Sequence, residues 1–128
     1  MFSDRRILIA DDNPELRAGL IDLLHDMQLH IVEAETGLIA LDILRGQSLD
    51  LALLDMHMPG RTGLELLSMV RRETLGIPCI FFSADATLAI QRQALEEGAF
   101  SVLCKPLEPL RLRMEVRRAL ESAPPRSC

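Results

Sequence analysis

The chain has 128 residues, 48% of them apolar, and 19 acidic against 14 basic side chains give it a formal net charge of −5. That length fits one domain with a hydrophobic core and leaves little room for a second, and the composition is globular rather than disordered. The acidic balance argues against nucleic acid as the domain's own ligand, because phosphate backbones select basic surfaces, and no apolar run has the length of a membrane span or the pattern of a signal peptide.

Four Phe and no Trp or Tyr leave the core to Leu, Ile, Val, Met and Ala. Cys79, Cys104 and Cys128 form no paired framework and no zinc pattern. A cytoplasmic protein is the simple reading, with Cys79 and Cys104 as buried filler inside apolar runs.

Arg5–Ala10 reads as the first strand. Asn13-Pro14-Glu15 then opens a helix, since Asn caps, Pro suits the first helical position and Glu the positive N-terminus. Leu16, Leu20, Leu23, Leu24 and Met27 give that helix an apolar face. His30–Ala34 is a second strand and Thr36-Gly37 a turn; Ala40, Leu41 and Leu44 mark a shorter helix ending at Gly46. Leu49–Met56 is the most apolar strand, without alternation, and so is expected to be central and covered on both faces. Met58 to Gly63 is a loop, and Leu64, Leu67 and Val70 carry the next helix. Gly76-Ile77-Pro78 turns into a strand over Cys79–Ala84, Thr87–Glu97 is a helix closed by Gly98, and Phe100–Cys104 is the fifth strand. A last helix starts between Pro106 and Pro109 with Leu112, Val116 and Leu120 inward. Residues 1–121 make the domain, and 122–128 have linker composition. Five strands alternating with five helices predict an α/β, doubly wound parallel sheet.

Three of these strands end in charge: the first at Asp11-Asp12, the third at Asp55, the fifth at Lys105, the only lysine in the chain. Ser83 ends the fourth. Each alone reads as a turn or cap residue. Their coincidence at one edge, where an open α/β sheet places its ligand site, points to chemistry. Two carboxylates ~4 Å apart repel by roughly 4 kcal/mol at an effective dielectric of about 20. Such a pocket raises a carboxyl pKa or binds a cation, and oxygen-only ligands suit Mg²⁺. A carboxylate beside that ion, backed by a lysine and a hydroxyl, is equipped as a nucleophile toward a phosphoryl group.

With Asp11-Asp12, the stretch Leu53-Leu54-Asp55-Met56-His57-Met58-Pro59-Gly60, Ser83-Ala84, Gly98-Ala99 and Lys105-Pro106 in this order, the chain resembles the receiver domain of two-component response regulators over residues 5 to 121. The resemblance implies a flavodoxin-like strand order 2-1-3-4-5 with five flanking helices. It implies Asp55 as phosphoacceptor, Asp11 and Asp12 as the metal-binding pair, and the His57 backbone carbonyl as a further ligand of Mg²⁺, for which Mn²⁺ could substitute. It implies that Lys105 and Ser83 meet phosphoryl oxygens and then shift, so that helix four, strand five and helix five form the readout face. The implied donor is a sensor histidine kinase or a histidine phosphotransfer protein. The effector, in this chain or another, is not indicated, and a phosphorylation-linked homodimer is a further implication. Such a switch promotes only its own phosphorylation and dephosphorylation.

The chain departs from the family pattern at Val102, where an aromatic switch residue is common; Phe100, on the same strand face by alternation, is the candidate substitute. Ser83 stands for the more frequent Thr, and Leu107 for a frequent Phe. His57 and Asp85 occupy positions that in the family flank the phosphoryl group and tune its lifetime, although a solvated imidazole is the plainer reading of His57. Arg111, Arg113, Arg117 and Arg118 read as a solvated face, with a docking surface using Leu110 and Met114 as the sharper alternative. Two rival functions remain: an Asp-nucleophile phosphatase or phosphotransferase, disfavoured by His57 where a second Asp is expected, and a pseudo-receiver, toward which only Val102 leans. A nucleotide or flavin module lacks its Gly-rich loop.

Overall fold

In a computed structural model, residues 2–73, 75–85 and 87–122 are described. In chain order the elements are β1 (Arg6–Ala10), α1 (Pro14–Leu24), a 3₁₀ turn (His25–Met27), β2 (His30–Ala34), α2 (Gly37–Gly46), β3 (Leu51–Asp55), α3 (Gly63–Arg72), β4 (Cys79–Ser83), α4 (Leu88–Glu96), β5 (Ser101–Cys104) and α5 (Pro109–Ser122). All strand pairs are parallel, in the order β2-β1-β3-β4-β5.

Helix starts follow from side-chain chemistry. Asn13, Thr36, Thr62 and Thr87 each turn a side-chain oxygen onto orphan N–H groups of the first turn, and Thr62 with Glu65 completes a reciprocal capping box. Each cap contributes on the order of 1 kcal/mol. Gly98, at φ +103°, closes α4 in a conformation that glycine adopts without strain.

Alternation along the strands splits the core in two. Leu8, Ala10, Ala52, Leu54 and Phe81 pack with Ala40 and Leu44 of α2, Leu66, Leu67 and Val70 of α3 and Ala94 of α4. Ile7, Ile9, Leu51, Leu53, Ile80 and Phe82 pack on the other face with Leu20 and Leu24 of α1 and Leu112, Val116 and Leu120 of α5. All of β3 and β4 is buried, as a strand covered on both faces requires.

Several expectations are corrected. Thr36-Gly37 is no free turn: Thr36 caps α2 and Gly37 is its first residue. β1 and β5 start one residue late, β4 stops at Ser83, and β3 is shorter than Leu49–Met56 although Leu49 and Asp50 before it are buried. Ser122 is the last residue of α5, and the rest of the tail, 123–128, lies outside the described residues. Cys79 is buried as expected, its thiol pushed up to about 12 by burial, but Cys104 is exposed at the end of an edge strand. Phe100 cannot stand in for Val102. It precedes the strand and packs in the α1/α5 cluster, 5.3 Å beneath the Arg118 guanidinium, whereas Val102 packs toward α2, α3 and α4. The α5 arginines are only partly a solvated face: Arg113 pairs with Asp26, and Arg111 and Arg118 converge on the buried Glu115. Leu110 and Met114 are exposed. No described helix is long and apolar enough to cross a membrane.

Candidate functional site

The strand register gathers the charged residues at one edge. Ala10 lies opposite Leu54, so Asp11, one residue on, comes level with Asp55. Ser83 lies opposite Cys104, and the Lys105 N–H donates to the Ser83 carbonyl at 2.8 Å, which holds the lysine beside the acidic ends. The Lys105–Pro106 peptide that follows is cis.

Asp11, Asp12 and Asp55 bring carboxylate oxygens within 4.8 Å of one another. Asp11 is wholly buried and Asp55 nearly so, while Asp12 is exposed. Lys105 Nζ lies 3.4 Å from Asp11 Oδ2 and 3.4 Å from Asp55 Oδ2 and sits 5.5 Å from the centroid of the Phe82 ring. The other Asp11 oxygen accepts the Asn13 N–H at 2.7 Å, and Asp55 Oδ1 accepts the His57 N–H at 3.2 Å.

Counted at formal charge, three carboxylates and one ammonium leave the cluster two charges negative. The Asp11 carboxyl is held above its ordinary value, chiefly by burial and further by the charge of Asp55, against the Asn13 N–H and Lys105. A group of hard oxygen donors, close together and short of two positive charges, fits a divalent cation of the Mg²⁺ kind, which keeps several of its waters.

Ser83 is buried, and its hydroxyl donates to Asp85 Oδ1 at 2.6 Å; the Asp85 N–H returns a bond to Ser83 Oγ at 3.2 Å. His57 Nε2 meets the same Asp85 oxygen at 3.0 Å. The His57 side chain is thus solvent-exposed but not unengaged: it links the β3–α3 loop to the β4–α4 loop across the site. Asp85 is held below the usual carboxylate value, first by the Ser83 hydroxyl and then by His57. Val102, half-buried, borders a groove between α4 and α5 with Gln91, Cys104, Leu107 and Arg111.

Sequence reasoning overlooked Arg17. From the first turn of α1 its Nη1 donates to the Asp11 backbone carbonyl at 2.5 Å and its Nε to Glu33 Oε1 at 3.0 Å. The available signal was a cation near a helix N-terminus, where the helix dipole disfavours it.

Residues 7–117 match the family of the response regulator receiver domain. The chain is 34% identical over 119 residues to the response regulator protein PilR of Pseudomonas aeruginosa, covering 93% of this chain and 27% of that one. It is 34% identical to the transcriptional activator protein ExaE of Pseudomonas putida, over 89% of this chain and 54% of that one. The chain therefore spans between about a quarter and about half of the length of these curated relatives. The signal receiver domain of the putative response regulator NarL from Mycobacterium tuberculosis superposes with a TM-score of 0.86 at 31% identity, covering 92% of this chain and 97% of that one.

Proposed function

The chain belongs to the response regulator receiver domain family, whose general role is a phosphorylation-dependent switch in two-component signalling, and from that premise we propose that Asp55 is its phosphoacceptor. The observation that carries the reading is the meeting of Asp55 with Asp11, Asp12 and Lys105 at one sheet edge.

The donor in this reading is the phosphohistidine of a sensor histidine kinase or of a histidine phosphotransfer protein. An Asp55 carboxylate oxygen attacks phosphorus, the O–P bond forms as the P–N bond breaks, and the imidazole nitrogen takes up a proton from solvent. Asp11, Asp12, Asp55 and the His57 carbonyl would hold Mg²⁺, or Mn²⁺ in its place, which when bound neutralises charge on the phosphoryl oxygens. Lys105 is already between two carboxylates, and its flexible stem lets the ammonium follow the arriving group. Ser83 would exchange its bond to Asp85 for one to a phosphoryl oxygen. His57 and Asp85, joined across the site, would influence the lifetime of the acyl phosphate.

Phosphorylation adds charge and acceptor oxygens, and movement of Ser83 and Lys105 would carry the change into the loops after β4 and β5. The readout face is then α4, β5 and α5, with Val102 presenting no aromatic ring. Residues up to Ser122, the end of α5, act as one receiver domain of cytoplasmic type, with linker-like composition in 123–128. The chain promotes its own phosphorylation and dephosphorylation and turns over no separate substrate.

Intact-mass spectrometry after incubation with Mg²⁺ and a small-molecule phosphodonor tests this. The parent should gain one phosphoryl group, and Asp55→Asn and an EDTA-treated sample should gain none. An unmodified parent, or an Asp55→Asn chain that is still modified, would refute the assignment.

A further inference from the structure

We propose that Arg17 is a positioning residue for the cation site: it fixes the backbone of the acidic pair so that Asp12 is presented to the metal. The inference rests on the reading of Asp11, Asp12 and Asp55 as metal ligands given above.

Arg17 is the fourth residue of α1, at the end of a first turn where a positive charge runs against the helix dipole. Its side chain is nonetheless only 13% exposed and engaged at two points. Nε donates to Glu33 of β2, and Nη1 donates to the carbonyl of Asp11. The guanidinium is planar, so two bonds in different directions fix its plane and aim Nη1.

The accepting carbonyl belongs to the peptide that joins Asp11 to Asp12. Asp11 has other anchors: its N–H donates to the Ala34 carbonyl, and its carboxylate meets Asn13 and Lys105. Asp12 has no comparable support. It is exposed, and among the described residues no hydrogen bond to its carboxylate is found. The peptide after Asp12 is held by the Asn13 N–H on Asp11 Oδ1 and the peptide before it by Arg17, so Arg17 holds one of the two planes that place the Asp12 Cα. Groups hydrogen-bonded directly to metal ligands typically change metal affinity by about 10- to 100-fold when removed, and Arg17, which acts through the backbone, is expected at the lower end of that range.

Charge and positioning predict opposite signs, and that makes the proposal testable. By Coulomb's law alone, removing a cation near the pocket should strengthen binding of a second cation. If Arg17 acts by positioning, its loss weakens binding even though a repulsive charge has gone. Arg17→Gln removes the charge, and Arg17→Lys keeps the charge but lacks the fork.

The chain has no Trp or Tyr to report binding. Mn²⁺ affinity is therefore measured by electron paramagnetic resonance and Mg²⁺ affinity by calorimetry, on the full chain and on variants shown by circular dichroism to be folded. Both variants are expected to bind about 10-fold or more weakly, with phosphorylation recovered at saturating Mg²⁺. If Arg17→Gln does not fold, Arg17→Lys decides. Affinities equal to the parent's, or tighter, overturn the proposal, as does a lowered melting temperature of the metal-free protein with unchanged affinity. A parent that binds neither ion overturns the metal-site reading instead.

Discussion

Replacing Asp11 by Asn should stabilise the metal-free protein at neutral pH. Asp11 is fully buried with two other carboxylates within 4.8 Å and Lys105 at 3.4 Å. At an effective dielectric of about 20 each carboxylate pair at that limit repels by about 3.5 kcal/mol, and the lysine attracts by about 5 kcal/mol. Exposure of Asp12 and Lys105 screens their shares, so the Coulomb terms nearly cancel and the desolvation of a buried anion, on the order of several kcal/mol, decides the sign. The amide oxygen of Asn can keep the bond from the Asn13 N–H. The net gain is expected at about 1–3 kcal/mol, or roughly 4 °C in melting temperature for each kcal/mol in a chain of this size. Because burial raises the folded-state pKa of Asp11 above its unfolded value of 3.8, protonation relieves the parent. Its advantage from holding that proton is complete below the unfolded value and lost as pH rises through the folded one. The difference between variant and parent should therefore vanish at acid pH and open as pH rises toward neutrality. Mg²⁺ should reverse the order, since a ligand at 100 times its dissociation constant adds about 2.7 kcal/mol to a protein that binds it. Melts followed by far-ultraviolet circular dichroism, with EDTA or Mg²⁺ across pH, measure all three effects. A variant less stable than the parent at neutral pH in EDTA would refute the argument, as would a gain that persists unchanged in acid.

Gly37→Ala should destabilise by at least about 1–3 kcal/mol, because the added Cβ would overlap the backbone N and O of Arg61 in the loop that carries the site; an unchanged melting temperature would show that this contact yields without cost. In a Cys128→Ser background a thiol reagent should label Cys104 in the native protein and Cys79 only after unfolding, since Cys79 is buried and its thiol lies near 12. Native labelling of Cys79 would contradict the packing of β4. Asp85→Ala should speed phosphorylation by a small donor about three- to tenfold, because the Ser83 hydroxyl then need not leave a carboxylate whose bond is worth on the order of 1 kcal/mol net. A mass-spectrometric time course with an unchanged rate would show that this bond does not hold Ser83 back.

The fold was legible because its signals are local. Apolar runs of strand length, an Asn-Pro-Glu helix start and charged strand ends are each contained in a few residues, and parallel topology follows from their alternation. The acidic pair, Asp55 and Lys105 were legible for the same reason, since a strand end is a place in both sequence and space. Features that needed three-dimensional information were read wrongly or not at all. Alternation carried back before Ser101, the first residue of β5, puts Phe100 on the face of Val102, but a residue outside the strand obeys no two-residue period, and Phe100 turns to Arg118 instead. Cys104 has apolar neighbours along the chain, yet β5 is the edge strand and no described residue covers its last position. The His57–Asp85 contact joins two loops 28 residues apart, and the clamp from Arg17 onto Asp11 depends on where α1 leaves the sheet. No periodicity encodes either.

The pocket is thus arranged against the stability of the protein alone. A neutral residue at position 11 would keep the turn bond to Asn13 and remove a buried anion, and an apolar group would fill the same space without any ionic repulsion. Lys105 offsets part of the deficit but is divided between two carboxylates at equal distance, so neither is fully neutralised. The acidic cluster is therefore short of positive charge in the resting protein. Ser83 is engaged by Asp85, to which its hydroxyl donates at 2.6 Å. A divalent cation and a phosphoryl group on Asp55 would together supply the missing partners: positive charge for the acidic pair, and oxygens for Lys105 and Ser83. On the reading of Asp55 as phosphoacceptor, the switch would draw driving force from charge neutralisation withheld in the resting state. Asp11→Asn is accordingly expected to be more stable at rest and less able to bind Mg²⁺, the two effects arising from the same buried carboxylate.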